Sequence, residues 1–272
     1  MTIHIYDGQA VLRRRFDTNF LGSGPRKVFM EALSLPRTDV AIWCFEGRGS
    51  LSERRRLFPG YKDRPSSMTT GIRALIDLTR QALAHTRALQ ISVPGREADD
   101  VIAHLCEVHG PTAADGITVH TVDHDLLQLS TDRVKVDAAP LVVKVEEGDR
   151  SKDVTLLPGE IRLYKTLVGD TSDKIPGMRG FGGKAFVACD RRLLQAAMNA
   201  LLQGNPVPAL FERAGVKTGM AERICAPEQA AQLRAFWSIV GFLPMPGDWE
   251  DGIQVGKEDT TAGDAVLRQF MH

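Results

Sequence analysis

Acidic residues recur at corresponding places along this chain. The β-branched run TIHIY leads straight into Asp7, DVAIWCF into Glu46, and GITVHTV into Asp123 followed by Asp125. In open α/β sheets, sites form just outside the carboxyl ends of the strands, so four carboxylates from distant parts of the chain would meet on one rim. Glu97, Asp99 and Asp100 precede the apolar positions Val101, Ile102 and Leu105. They would occupy the first turn of a helix, where the macrodipole favours negative charge and whose amino end can face the same rim. On a helical wheel Glu97 and Asp100 flank one edge of the apolar stripe and Asp99 falls beyond the other, so all three reach a common site only from the helix start. Taken singly, first-turn acids read as capping and dipole compensation, and an Asp after a strand as a turn residue. Those readings leave the repetition at the strand ends unexplained.

A further pair, Asp170 and Asp173, lies in LVGDTSDKIPGMRGFGGKA, where Gly169 stops a helix. Gly177, Gly180, Gly182 and Gly183 follow, interleaved with Arg179 and Lys184. As turn formers they make a loop. They also describe a loop that bares backbone N–H groups to a phosphate and sets cations beside them. Between Gly47 and Arg64, six basic residues stand against two acidic ones, a run that a solvated surface would explain by itself.

The scaffold that must position these residues is legible as an alternation. TIHIY, DVAIWCF, GITVHTV and DRVKV read as strands. Between them, TGIRALIDLTRQALAHT and EADDVIAHLCEV carry apolar residues at helical spacing. The expected fold class is therefore α/β, a mostly parallel sheet flanked by helices. After about Leu156 the strands give out and PGEIRLYKTLVG, RRLLQAAMNALLQG and PEQAAQLRAFWSIVGF predict a helical subdomain. The boundary is placed so that residues 1–165 form the core and 166–272 the subdomain. With 272 residues there is length for a sizeable core. Lys and Arg total 34 and Asp and Glu 34, so net charge argues neither for nor against a nucleic-acid partner. Cys44, Cys106, Cys189 and Cys225 are scattered without a C-x-x-C pair, which predicts reduced thiols and neither a zinc site nor a disulfide framework. No apolar run approaches a membrane span and the first residues lack a signal-peptide pattern, so a cytoplasmic protein without a membrane partner is expected.

Taken in order, these motifs resemble those of the 5′-nuclease superfamily, which includes the N-terminal domain of bacterial DNA polymerase I, the bacteriophage 5′ to 3′ exonucleases and the flap endonucleases. The matching stretches are YDG at Asp7, FEGRGSLSERRRLFPGYKDR, EADD at Glu97, TVDHDLLQL, and LVGDTSDKIPGMRGFGGKA, spanning residues 5–186 in the family's order. The resemblance implies a PIN-like core, an arch over the active site (about 47–70) and a helix-three-turn-helix element gripping duplex DNA (about 168–200). It implies metal-site carboxylates at Asp7, Glu46, Glu97, Asp99, Asp100, Asp123, Asp125, Asp170 and Asp173. It implies catalytic arch cations at Arg54 and Lys62, and DNA contacts at Arg48, Arg55, Arg64, Arg179, Gly180, Gly182 and Lys184. Glu46 stands where the family usually has Asp, Lys174 where it often has Asn, and Phe181 where it often has an aliphatic residue.

The implied chemistry is two-metal phosphodiester hydrolysis, because bare carboxylates would repel an anionic phosphate. An all-oxygen donor set suits hard ions, so two or more Mg²⁺ are expected, with Mn²⁺ able to substitute and a monovalent cation at the helix-three-turn-helix. Nine carboxylates against two dications leave a formal excess of five negative charges, so some must act through water. With those nine committed to metal, 34 basic residues face 25 remaining acidic ones, an excess that suits DNA. The expected activity is 5′ to 3′ exonuclease with structure-specific flap cleavage, on 5′ ends, flaps, nicks or RNA–DNA hybrids. It is expected in a stand-alone monomer of phage or bacterial type working in replication or recombination, beside other replication proteins. The alternatives are a PIN-like ribonuclease, which would need neither the long basic segment nor GDTSDKIPG, and a catalytically silent structure-specific DNA-binding protein, which would be expected to lack Asp170 or Asp173. A haloacid-dehalogenase-type phosphatase is disfavoured because D-G-Q, and not D-x-D, follows the first strand.

Overall fold

A computed structural model describes residues 1–18, 24–64, 69–147 and 150–268. In chain order the elements are β1 (Ile3–Asp7), α1 (Gly8–Thr18), α2 (Gly24–Ser34), β2 (Val40–Cys44), α3 (Ser52–Leu57), α4 (Thr70–Leu83), β3 (Leu89–Ile91), α5 (Ala98–His109), β4 (Ile117–His120) and β5 (Val134–Asp137). They continue with β6 (Val142–Glu147), β7 (Arg150–Thr155), α6 (Pro158–Val168), α7 (Gly183–Ala188), α8 (Arg191–Leu202), α9 (Pro208–Arg213), α10 (Thr218–Cys225), α11 (Pro227–Val240), β8 (Ile253–Val255) and α12 (Thr260–Arg268). Two compact units result, one of Met1–Ser52, Arg64–Ala139 and Pro244–His272, the other of Glu53–Asp63 and Pro140–Leu243.

The first unit is built on a sheet of order β5-β4-β1-β2-β3-β8. All neighbours pair in parallel except β3 and β8. The central β2 is buried along almost its whole length, as a strand covered on both faces must be. Helix α4 starts where the Thr69 hydroxyl accepts the Ile72 N–H at 3.2 Å and buries Leu75, Ile76, Leu78, Ala82 and Leu83. These meet Leu12 and Phe16 of α1, Trp43 of β2 and Phe45 in one core, and Phe29 of α2 with Leu267 of α12 in an adjoining one.

The strands do not give out at Leu156. β8 adds an antiparallel edge to β3 in the register Leu89↔Val255, and α12 packs on α4 and α2, so residues 244–272 belong to the first unit and not to a helical subdomain. Strand β3, with three residues, is too short to reveal a two-residue alternation.

The second unit opens with α3 and the turn after it. It continues through the β6–β7 hairpin, paired from Val142↔Thr155 to Glu147↔Arg150, into helices α6–α11. Asp190 caps α8, accepting the Arg192 and Leu193 N–H groups at 2.9 and 3.0 Å. Arg162 on α6 donates through Nε and Nη2 to the Trp237 carbonyl at 2.9 and 2.7 Å. It also lies 4.4 Å over that indole, a stacked arrangement that only a guanidinium combines with two donors. Of the expected arch, residues 65–68 lie outside the described residues, while 53–63 pack within this second unit.

Candidate active site

In the first unit the acids at the ends of β1 and β4 sit on a shared hydrogen-bond network. Asp7, the last residue of β1, is only 5% exposed. Its Oδ1 accepts the Ala10 N–H at 3.1 Å and its Oδ2 the Thr121 hydroxyl at 2.9 Å. The same hydroxyl oxygen accepts the Asp123 N–H at 3.0 Å, and Asp123 Oδ1 accepts the Asp125 N–H at 2.8 Å. Buried Thr121 therefore ties the carboxylate of β1 to the turn after β4. It was not among the expected site residues; its signal was the threonine of TVDHD.

Glu46 and Glu97 are held by neighbouring backbone. The chain leaving β2 is stitched to the segment after β3: Phe45 N–H donates to the Ile91 carbonyl at 2.8 Å, Gly47 N–H to Arg96 at 3.0 Å, and Gly95 N–H to Arg48 at 2.9 Å. A Cβ on Gly47 would lie 1.7 Å from the Val93 carbonyl oxygen, so this approach requires glycine. No acid follows β3. Its end supplies Ser92, whose hydroxyl donates to the Glu46 carbonyl at 3.0 Å, so the regularity of an acid after every strand fails there for a structural reason. At the start of α5, Glu97 and Asp100 are 2% and 0% exposed, and the Glu97 N–H donates to Asp100 Oδ2 at 3.0 Å. Asp99 is half-buried. The Cys44 thiol is pushed well up by burial, and further by the negative charges of Asp7 and Asp99. Arg48 and Arg64 are exposed.

In the second unit Asp170 follows α6 through Gly169, whose φ of 99° suits glycine. The Asp170 and Ile175 backbones exchange two 2.8 Å hydrogen bonds, closing a loop around Asp173. Lys165 Nζ lies 2.6 Å from Asp170 Oδ2. Burial pushes the Asp170 carboxyl up, but the charge and hydrogen bond of Lys165, with those from Ser172, outweigh it and hold the group below its ordinary range. Lys165 also went unnominated, since a lysine in the last turn of a helix reads as an ordinary dipole partner.

Lys62 and Arg54 part company. Lys62 Nζ is 3.9 Å from Asp173 Oδ1 and its N–H donates to the Asp173 carbonyl at 3.0 Å. Arg54, expected as a second arch cation, is 3% exposed. Its Nε and Nη2 each donate at 3.1 Å, to the carbonyls of Ile239 and Gly241. Those carbonyls belong to the end of α11, where helical acceptors lack partners and positive charge is favoured. Arg55, expected at DNA, also engages backbone, with 3.1 and 3.0 Å bonds to the carbonyls of Tyr61 and Lys62.

The glycine-rich loop turns two faces apart. Ile175, Met178 and Phe181 are buried, whereas Arg179, Gly180, Gly182 and Lys184 are exposed. A Cβ on Gly177 would lie 2.4 Å from the Gly169 nitrogen, so that glycine serves the fold. Gly182 is extended and a Cβ there meets nothing within 4 Å, so the fold itself does not require it. From α10, Arg223 Nη2 donates to the Arg179 carbonyl at 2.9 Å, bracing the loop from behind.

The model of the 5′-3′ exonuclease, N-terminal resolvase-like domain, matches residues 4–154. A 5′-3′ exonuclease of Bacillus subtilis (strain 168) is 35% identical over 147 residues, 53% of this chain and 49% of that protein. The chain thus spans about half the length of that relative. A 5′-3′ exonuclease of Aquifex aeolicus (strain VF5) is 27% identical over 199 residues, 68% of each chain. Among solved structures, T5 5′-exonuclease with bound divalent zinc ions aligns with a TM-score of 0.61 at 18% identity, covering 100% of this chain and 98% of that one. That likeness is one of fold. Among the described residues no helix is long and apolar enough to cross a membrane.

Proposed function

We propose, from the premise that this chain belongs to the family of 5′-3′ exonuclease N-terminal resolvase-like domains, that it is a divalent-metal-dependent 5′ to 3′ exonuclease that also cleaves DNA flaps. The observation that carries the reading is the burial of three carboxylates, Asp7, Glu97 and Asp100, at the end of β1 and the start of α5. Buried anions in such number call for positive charge. A donor set of carboxylate oxygens without His or Cys fits a hard divalent cation, and the relative in fold named above carries divalent ions.

Asp7, Glu46, Glu97, Asp99, Asp100, Asp123 and Asp125 are the residues of the first unit that would hold it, some through water; Asp170 and Asp173 are the candidate metal ligands within the second. Mg²⁺ is the expected ion, with Mn²⁺ a substitute. When bound, such ions lower the pKa of a water and offset the charge of the scissile phosphate. The remaining tasks fall to the chain. Thr121 holds Asp7 and the Asp123 turn in register. Lys62 sets an ammonium beside Asp173, where it can meet developing negative charge. The backbone of the exposed Gly180 and Gly182, with Lys184 and Arg179, seats duplex phosphates, and a monovalent cation would suit the same turn. Arg48 and Arg64 add sequence-independent phosphate affinity. The substrates are DNA 5′ ends, flaps and nicks, with RNA–DNA hybrids a related set, and the protein acts as a cytoplasmic monomer in replication.

The test is cleavage of 5′-labelled flap, nicked and blunt duplexes, and of a matched single-stranded RNA, with Mg²⁺ or with chelator. The expected result is Mg²⁺-dependent release of short 5′ products from the DNA substrates, lost with chelator. Cleavage of RNA alone would overturn the reading in favour of a PIN-like ribonuclease, and duplex binding without cleavage in favour of a silent DNA-binding protein.

A further inference from the structure

Lys62 has an uncommon backbone. Its φ is 46°, in the left-handed region that a side chain with a Cβ seldom adopts. The turn that produces it is short: Tyr61 N–H donates to the Phe58 carbonyl at 3.0 Å and Asp63 N–H to the Gly60 carbonyl at 3.2 Å. Tyr61 is buried at 3% exposure, and Lys62 Nζ lies 5.1 Å over its ring. Such a conformation persists only when its surroundings over-determine it.

The over-determining group is Arg55. Its Nε donates to the Tyr61 carbonyl at 3.1 Å and its Nη2 to the Lys62 carbonyl at 3.0 Å. The first carbonyl belongs to the peptide plane before the Lys62 Cα, and the second to the plane after it. The rotation of one plane against the other is the φ and ψ of Lys62, so one rigid guanidinium edge fixes both angles. The Lys62 N–H, donating to the Asp173 carbonyl at 3.0 Å, anchors the first plane on its other side. With both angles set, the Cα–Cβ direction is set, and the ammonium is delivered beside the Asp173 carboxylate at 3.9 Å.

We infer that Arg55 is a positioning residue for this nuclease: it clamps the Tyr61–Lys62 turn in its left-handed form and so aims the Lys62 ammonium. The inference rests on the proposed role of Lys62 and adds to it a residue that the sequence assigns to DNA contact. Arginine suits the task, because its Nε and Nη2 donate from a rigid plane, whereas a lysine's donors all radiate from one freely rotating nitrogen and hold no plane. A glutamine offers one amide in place of the two-pronged fork.

A double-mutant cycle on the full chain tests this. Single-turnover rates with saturating flap substrate in Mg²⁺, and apparent Kd at two salt concentrations without Mg²⁺, are measured for Arg55→Gln, Arg55→Lys, Lys62→Met and Arg55→Gln/Lys62→Met. Misaiming by about 1 Å costs up to roughly a hundredfold. Arg55→Gln and Arg55→Lys are therefore expected to slow cleavage by about ten- to a hundredfold with Kd and salt slope unchanged, and Arg55→Gln to slow it no further once Lys62 is Met. An Arg55→Gln defect confined to Kd and salt slope would return Arg55 to DNA contact. Rate effects that multiply in the double variant, or a full rate in Arg55→Lys, would equally overturn the clamp. If Lys62→Met cleaves at the wild-type rate, it is the role of Lys62 that fails, a result distinct from either. Thermal melts accompany each variant. A variant that melts early is assayed below its transition, where the fold is intact and the same rate comparison applies.

Discussion

Arg54 is where the structure and the motif assign a residue most differently, and Arg54→Met separates the two. The side chain is 3% exposed and makes two 3.1 Å bonds to the carbonyls of Ile239 and Gly241. Its guanidinium also lies 5.9 Å from the Tyr61 ring centroid. Each hydrogen bond from a charged donor contributes about 1.5–3 kcal/mol, so two sum to roughly 3–6 kcal/mol. Methionine fills much of the same space and recovers some apolar burial, but leaves the carbonyls unsatisfied, so the net loss is about 3–5 kcal/mol. With a urea slope of about 3 kcal/mol/M, the midpoint would fall by roughly 1–1.7 M. Urea unfolding followed by far-UV circular dichroism reads this directly. Arg54→Lys, restoring the charge but not the planar fork, should recover less than half. Cleavage measured well below the transition should fall only modestly. If Arg54→Met instead keeps stability within about 1 kcal/mol of wild type and loses cleavage, the guanidinium acts on phosphate and the packing argument is wrong.

Asp123→Asn should abolish Mg²⁺-dependent cleavage at unchanged apo stability, since an amide oxygen still accepts the Asp125 N–H; near-normal turnover in Mg²⁺ would exclude it as a ligand. Asp170→Asn should also abolish cleavage but destabilise the apo protein by about 3 kcal/mol, because it removes the carboxylate charge 2.6 Å from the largely buried Lys165 ammonium; equal apo stabilities of the two variants in urea would refute the distinction. Gly182→Ala should leave the melting temperature unchanged, as its Cβ meets open space, while raising the Kd for nicked duplex. Lys184→Ala should raise Kd and lower the salt slope by about one; a rate defect at unchanged Kd in either would move the loop to the reacting phosphate. The pH dependence has a definite sign. Burial, and then the charge of His4, hold His120 below its ordinary 6.5. Its folded pKa lies under its unfolded one, so its contribution is full above pH 6.5 and is lost as pH falls from there toward the folded value. His120→Gln should flatten stability across that window. Asp170, also lowered, loses its contribution only as pH falls below 3.8 through the folded value, and a titration of stability that shows no step in either range would contradict both.

The parts of the fold that were readable were those whose burial is one-sided or complete over several residues. β1 and β2 present buried positions along five residues each, and α4 repeats its apolar face over fourteen. These patterns survive without knowledge of neighbours. β3 and β8, at three residues each, carry no period of their own; β8 becomes a strand because β3 offers it an unpaired edge, a fact absent from its local sequence. The same holds for the boundary between units, which depends on where residues 244–272 return. At the site, acids at strand ends were legible because strand direction dictates where their side chains emerge. Thr121 and Lys165 were not, because a threonine after a strand and a lysine in a last helical turn have ordinary reasons to be there.

The basic segment shows most sharply what sequence leaves open. In SERRRLFPGYKDR the cations look interchangeable, a single block of charge facing one anionic partner. In the folded chain the side chains divide by what lies within reach of the backbone that carries them. Arg54, on the buried side of α3, meets the carbonyl end of α11 and is consumed there. Arg55, one position on, points instead to the turn that follows its own helix. Lys62 lies seven residues beyond Arg55, where Pro59 and Gly60 have reversed the chain, and reaches Asp173. A guanidinium meets two carbonyls with a rigid planar fork, whereas an ammonium radiates its donors from one freely rotating nitrogen. Arg54 and Arg55 therefore go to backbone, and Lys62 keeps a charge directed at the Asp173 carboxylate. Charge counting treats the three alike; donor geometry distinguishes them, and it predicts that exchanging Arg55 and Lys62 would preserve the charge of the segment while losing the activity it supports.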